Sequence, residues 1–131
     1  HFTSWLTLAP NNKISGGRLL SSRTQPSTNR AAAILRVAAM SLSRTDTALG
    51  AFYRRLAGRI GKAKAITATA RKLATLVYRC LKGEIAYKDP GAAAYDHHHR
   101  ESVLRRLRHR AAALGFTLID QQTGEILEGV S

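Results

Sequence analysis

The chain has 131 residues, enough for one domain with a modest core and too few for two. Its 21 Lys and Arg against 8 Asp and Glu give a formal net charge of +13, and that self-repulsion points to an anionic partner, nucleic acid ahead of a membrane surface. No apolar run reaches the ~18 residues of a membrane span, the basic segments lack a Trp- and Phe-rich interfacial face, and the single cysteine, Cys80, excludes an internal disulfide and suits a reducing compartment.

Residues 1–7 read as the end of an amphipathic helix, stopped by Pro10 and the Asn11-Asn12 pair. The chain opens on His1, and its one methionine is Met40. Phe2, Trp5 and Leu6 already follow helical spacing, so the expectation is a fragment of a longer protein or a truncated copy of one. Residues 9–28 are rich in Ser, Gly, Asn and Thr and read as a long loop, with Arg18-Leu19-Leu20 as a short extended piece inside it. Pro26, Ser27, Thr28 and Asn29 form an N-cap cluster for a helix over 29–43, with Ala31, Ile34, Leu35, Ala38 and Leu42 on its inner side.

Thr45-Asp46 is placed to cap a helix over 47–60, where Leu49, Phe52, Tyr53, Leu56 and Ile60 recur at three- and four-residue steps and Arg54, Arg55 and Arg59 look outward. Gly61 ends it. A long helix follows over 62–81, with Ile66, Ala70, Leu73, Val77 and Cys80 as its apolar stripe and Gly83 as the stop. Cys80 is therefore expected in the core. Lys88-Asp89-Pro90-Gly91 is a turn by its chemistry. Asp96 is placed to cap a last helix over 97–114, buried through Val103, Leu104, Leu107 and Ala111. Residues 116–127 then read as a small hairpin or a frayed tail. The expected fold is mainly α, a small domain of four to five helices over residues 1–119, with a tail over 120–131.

Ser15-Gly16-Gly17 is the tripeptide with most chemical content. Successive glycines reach backbone angles closed to other residues, and their N–H groups can form a nest for a phosphate with a serine hydroxyl at its lip. The plainer reading is a flexible turn. Arg18 and Arg23 share the loop, but no histidine is close in sequence to take a proton, His1 being the nearest. The other phosphate contacts expected are Arg30, Arg36, Arg54, Arg55, Arg59, Lys62, Lys64, Arg71 and Lys72, with Arg100, Arg105, Arg106, Arg108 and Arg110 on the last helix. Only 6% of residues are aromatic, so base stacking is not the main expected device.

His97-His98-His99 does not make a metal site on a helix, because neighbours point about 100° apart and cannot converge on one ion. Gly58-Arg-Ile-Gly61-Lys62 has the wrong spacing for a phosphate loop, with Ala63 in place of Ser or Thr. The eight acids are scattered, unlike the converging carboxylates of a two-metal nuclease. No cofactor is expected on this chain.

The order and spacing of several segments resemble the C-terminal domain of bacterial insertion-sequence transposases of the "one-ten" type, the serine-using DEDD transposases. The matching residues are Phe2-x-x-Trp5-Leu6-x-Leu8-x-Pro10, Ser15-Gly16-Gly17, Asn29-Arg30, Leu35-Arg36-x-Ala38-Ala39 and Ser41-Leu42. The run from Leu49 to Arg55, Arg59-Ile60-Gly61, and the block from Lys64 to Ala74 with Tyr78 after it continue the match. Gly83, Tyr87, Tyr95, Arg100 and Leu114-Gly115-Phe116 complete it.

That resemblance implies a helical domain of a DNA recombinase, in the bacterial cytoplasm at the nucleoid, with no membrane association. It implies Ser15 as the nucleophile on a DNA phosphate and Gly16 and Gly17 as the residues shaping its loop. An RNase-H-like domain absent from this chain would supply Asp-Glu-Asp-Asp acids holding Mg²⁺. Partners implied are DNA, a guide (bridge) RNA, and further copies of the full-length protein in dimers or tetramers. Many relatives carry Lys-x-Gly-Asn before the basic helix, where this chain has Ser27-Thr28 before Asn29, and Asp96 to His99 has no usual counterpart. The fragment alone is expected to bind nucleic acid without cutting it. The alternatives are a noncatalytic basic binding module, with the Gly-Gly segment as a hinge, and an RNA-packaging structural protein.

Overall fold

In a computed structural model, which describes residues 1–24, 26 and 28–128, the elements run α1 (Phe2–Trp5), β1 (Lys13–Ser15), β2 (Arg18–Ser21), α2 (Arg30–Leu42), α3 (Ala48–Ile60), α4 (Lys62–Leu81), α5 (Ala92–Ala113), β3 (Leu118–Ile119) and β4 (Ile126–Leu127). The fold is mainly helical, as the periodicity requires. Contacts divide it into two units, His1–Ala92 and Ala93–Ser131.

In the first unit α4 is the central helix, packing on α1, α2 and α3. Its buried stripe is made of small residues, Ala65, Thr69, Ala70 and Ala74. Small side chains let α2 approach closely through Ala32 and Ala39, and Leu6 and Leu8 close the cluster, both essentially without exposure. Burying both leucines fixes the residue between them. Thr7 takes φ 58°, a left-handed conformation unusual for a β-branched residue, and its hydroxyl donates to the Leu6 carbonyl at 2.6 Å. Phe2 stacks on Tyr78 of α4, ring centroids 4.9 Å apart, and fastens α1 to the same helix.

Several helix ends follow from a named residue. The Asn29 side chain accepts from the backbone N–H groups of Ala31 and Ala32 at the start of α2; Ser27, expected in the same cap cluster, lies outside the described residues. Thr47, not the expected Thr45-Asp46 pair, caps α3 by accepting from the Gly50 N–H, while Thr45 donates to the Leu42 carbonyl. Gly61, at φ 91°, separates α3 from α4. After α4 the Glu84 N–H reaches back to the Arg79 carbonyl across Gly83, a Schellman closure.

Further expectations need correction; Ile60 of α3 and Leu107 of α5, expected on buried faces, are exposed. The inner face of α2 is formed by Ala32 and Ala39 with Leu35, leaving Ile34, Val37 and Met40 exposed. Cys80 is exposed, and Val77 is 41% exposed, so the buried stripe of α4 runs through Ala65, Thr69, Ala70 and Ala74 and not through these two. Residues 9–28 are not one long loop, since β1 and β2 pair within them. Asp96 does not mark the start of the last helix: α5 starts at Ala92, after Gly91 at φ 90°, and Asp96 lies inside it. In the second unit β3 and β4 do form a hairpin, with Asp120 accepting from the N–H groups of Gln122 and Thr123 in its turn.

Asp89 ties the 84–91 segment to α3. Its carboxylate accepts from the N–H groups of Ala48 and Gly91 and from the Tyr87 hydroxyl. Burial alone pushes this carboxyl up, but the backbone N–H groups and the Tyr87 hydroxyl together outweigh it and hold the group below the ordinary carboxylate range. The Tyr87 hydroxyl, partly buried and bonded to that anion, is pushed up to about 12.

Two stability experiments follow. A folded pKa below the unfolded one makes Asp89 stabilising above the ordinary carboxylate range, with that contribution lost as pH falls through the folded value. Asp89→Ala should therefore cost about 1–2 kcal/mol at neutral pH, the scale of a lost cap, and the gap to the parent in urea unfolding should shrink on acidification below about pH 4. In α3, a Cβ on Gly50 would stand 2.6 Å from the Thr45 carbonyl oxygen and 2.7 Å from that of Leu42, whereas one on Gly58 meets nothing within 4 Å. Gly50→Ala should destabilise by about 1–3 kcal/mol, and Gly58→Ala should stabilise by about 0.5–1 kcal/mol, both read from unfolding midpoints.

Candidate nucleic-acid interface

Ser15 stands at the tip of a two-stranded ribbon. Ser15 pairs with Arg18, Ile14 with Leu19 and Lys13 with Ser21, with a bulge between the last two pairs. The two residues between Ser15 and Arg18 are Gly16 at φ 56° and Gly17 at φ 76°. Positive φ at both central positions is the mirror-image hairpin turn whose twist matches the flanking strands, and it is nearly closed to residues with a Cβ other than Asn and Asp. The glycine pair thus turns the chain sharply at the tip. Below the bulge, the Asn11 N–H donates to the Arg23 carbonyl at 3.1 Å and closes the base of the ribbon. Every residue from 11 to 20 is exposed, Ser15 included.

The electrostatics of this segment are one-sided. From residue 1 to 45 the chain holds Lys13, Arg18, Arg23, Arg30, Arg36 and Arg44 and no acid; the first is Asp46. Arg18 and Arg23 belong to the ribbon and its base, and Arg30 opens α2, all three exposed. Arg36 is half-buried on α2. Among the expected contacts on α3 and α4, Arg55, Arg59, Lys62, Lys64 and Arg71 are exposed.

Arg54 and Lys72, both expected phosphate contacts, have structural work between helices. Arg54 Nη1 donates to the Ser43 and Thr45 carbonyls, at 3.1 and 2.8 Å, closing the turn between α2 and α3. Lys72 Nζ lies 4.2 Å from the centre of the Phe52 ring, a cation–π contact joining α4 to α3, and burial lowers its pKa. On α5, Arg100, Arg105, Arg106 and Arg110 are exposed and Arg108 is half-buried.

Among the described residues no three His, Cys, Asp or Glu side chains come together, and Asp89 already accepts from two backbone N–H groups and a hydroxyl. A cleft lined by Ser4, Thr7, Ala9, Pro10 and Asn11 lies in the first unit and brings no ionisable side chain with it. Among the described residues no helix is long and apolar enough to cross a membrane.

Periodicity missed the ribbon, because each strand is too short to show its alternation. The available signal was Gly-Gly between Lys13-Ile14-Ser15 and Arg18-Leu19, a two-residue hairpin loop flanked by alternating polar and apolar residues. No protein-family model, curated protein or solved structure matches this chain.

The turn itself is testable. Gly16→Ala or Gly17→Ala should each cost the ribbon about 1–2 kcal/mol, from strain at left-handed φ, although neither added Cβ meets an atom within 4 Å. Gly16→Asn should be tolerated. Because the ribbon is exposed, the loss should appear in the NMR shifts and amide exchange of residues 13–21, with little change in the unfolding midpoint of the helices.

Proposed function

We propose that this chain is the serine-bearing, DNA-binding domain of a bacterial transposase of the "one-ten" type. The observation that carries the reading is the position of Ser15: exposed, at the tip of a ribbon, paired across the ladder with Arg18, in a 45-residue stretch with cations and no acid. A hydroxyl so placed can meet a backbone phosphate without first displacing protein, and the neighbouring guanidinium is suited to the charge that develops on the phosphoryl oxygens. In the reaction, a bond forms between Ser15 Oγ and phosphorus as one deoxyribose oxygen leaves with the electron pair of its P–O bond. The serine proton passes to a base that this reading leaves to another domain, as it does the metal. Gly16 and Gly17 set the tip; Arg18, Arg23, Arg30 and the exposed cations of α3 and α4 hold backbone phosphates. The same reading places the protein in the bacterial cytoplasm at the nucleoid, with a guide RNA and further copies of itself as partners.

Phosphate contact and catalysis separate experimentally. Duplex affinity should fall steeply with salt, and Arg18→Ala and Arg23→Ala should each flatten log K against log [salt] by about one unit at most. In a protein carrying this chain together with an acid-bearing domain, Ser15→Ala should abolish covalent DNA–protein adducts and strand joining while leaving duplex affinity within about threefold of the parent. Adducts that persist in the variant remove Ser15 as nucleophile and leave a noncatalytic basic binding module.

A further inference from the structure

The β1–β2 ribbon has two faces of different chemistry. Successive residues on a strand point to opposite sides, so the Ser15–Arg18 pair and the Ile14–Leu19 pair occupy opposite faces. Ile14 is 66% exposed and Leu19 55%; Leu20, the residue the bulge adds, is 65% exposed. An apolar cross-strand pair normally holds a ribbon against a core. Here nothing among the described residues covers it, and a two-stranded ribbon standing alone is marginal in water.

The surroundings select the partner. With Lys13, Arg18 and Arg23 around the pair and no acid before Asp46, a second copy of this ribbon would be repelled. An anionic partner that also offers apolar surface is required. A nucleic-acid strand has both, phosphates on one side and base faces on the other, and apolar side chains carried by basic elements are known to open base steps. The tip permits close approach, since a Cβ at either Gly16 or Gly17 would stand in open space.

We propose that the ribbon enters duplex DNA as a wedge: Ser15 and Arg18 face the backbone, while Ile14 and Leu19 press against the bases and unstack the step beside the phosphate that Ser15 meets. This rests on the DNA-binding reading above and adds to it a local opening of the duplex. No bond is made or broken in the step.

The test titrates the chain onto short duplexes carrying 2-aminopurine at single internal positions, with fluorescence reporting unstacking. A rise of about twofold or more at saturation is expected at one or more positions. Ile14→Thr/Leu19→Thr keeps strand propensity and changes only exposed residues; it should bind with an unaltered salt slope and an affinity within about threefold of the parent, with the rise abolished. Circular dichroism and the NMR shifts of residues 13–21 check that the ribbon persists, and the single substitutions, each expected to reduce the rise, serve if the double one does not retain it. Saturated binding with flat fluorescence at every position, or a folded double variant that keeps the rise, overturns the wedge and leaves DNA binding standing. Absence of salt-dependent duplex binding overturns both readings. Binding to phosphatidylglycerol vesicles in place of duplex assigns the apolar face to a lipid surface and overturns the wedge as well.

Discussion

Leu6 and Leu8, inserted against Ala32 and Ala39 of α2 and Ala70 and Ala74 of α4, are the contact on which the first unit depends. The helices that receive them are faced with alanine, so they can approach closely but bury little area of their own. The two leucines supply the bulk that alanines cannot. They come from a segment outside the long helices, and the chain accepts an unfavourable φ at Thr7 to bury both. Pro10 and Asn11 follow immediately, and Asn11 is bonded to Arg23 at the foot of the ribbon. The packing of Leu6 and Leu8 therefore determines where the ribbon is rooted, although no ribbon residue from Lys13 to Leu20 is buried.

A division of labour among the cations follows from the same economy of bulk. A core of small residues leaves α3 and α4 in need of other fastenings, and long cationic side chains provide two. The Lys72 amine over Phe52 joins α3 to α4, and Arg54 satisfies carbonyls at the end of α2 that have no helical partner. Charge alone does not mark these two residues as fastenings. Geometry does, and loss of nucleic-acid affinity on replacing Arg54 or Lys72 would mix a folding effect with a binding one. The ribbon cations and Arg30 are the cleaner probes.

The sequence was legible where side chains of different size or a special backbone residue mark a boundary. Leu49 and Tyr53 on one side and Arg54 and Arg55 after them orient α3, and Gly61 divides α3 from α4 because its φ of 91° is closed to most residues. The face of α2 was misread because Arg30 to Leu42 has apolar residues around most of its circumference. Hydrophobicity alone then favours the larger Ile34, while close approach to α4 selects Ala32 and Ala39. The start of α5 was misread because its polar, His- and Arg-rich sequence has no clear apolar stripe; the helix begins where Pro90 and Gly91 release it, not where Asp96 would cap it. At the candidate site, Ser15, Gly16 and Gly17 stand out by chemistry alone. Their placement on a ribbon, and the apolar pair behind Ser15, depend on a ladder three pairs long, which is too short to appear as a period.

Solvent surrounds the whole span from Asn11 to Leu20, so this stretch is almost free of the packing constraints that govern the helices. Outside the two glycines, folding exerts little filter on which side chains it carries. Variation there would be tolerated by the scaffold and judged almost wholly by whatever surface the ribbon meets. A chain built this way can change its target while keeping its architecture, and a library randomised at Lys13, Ile14, Leu19 and Leu20 would sample recognition with little loss to misfolding.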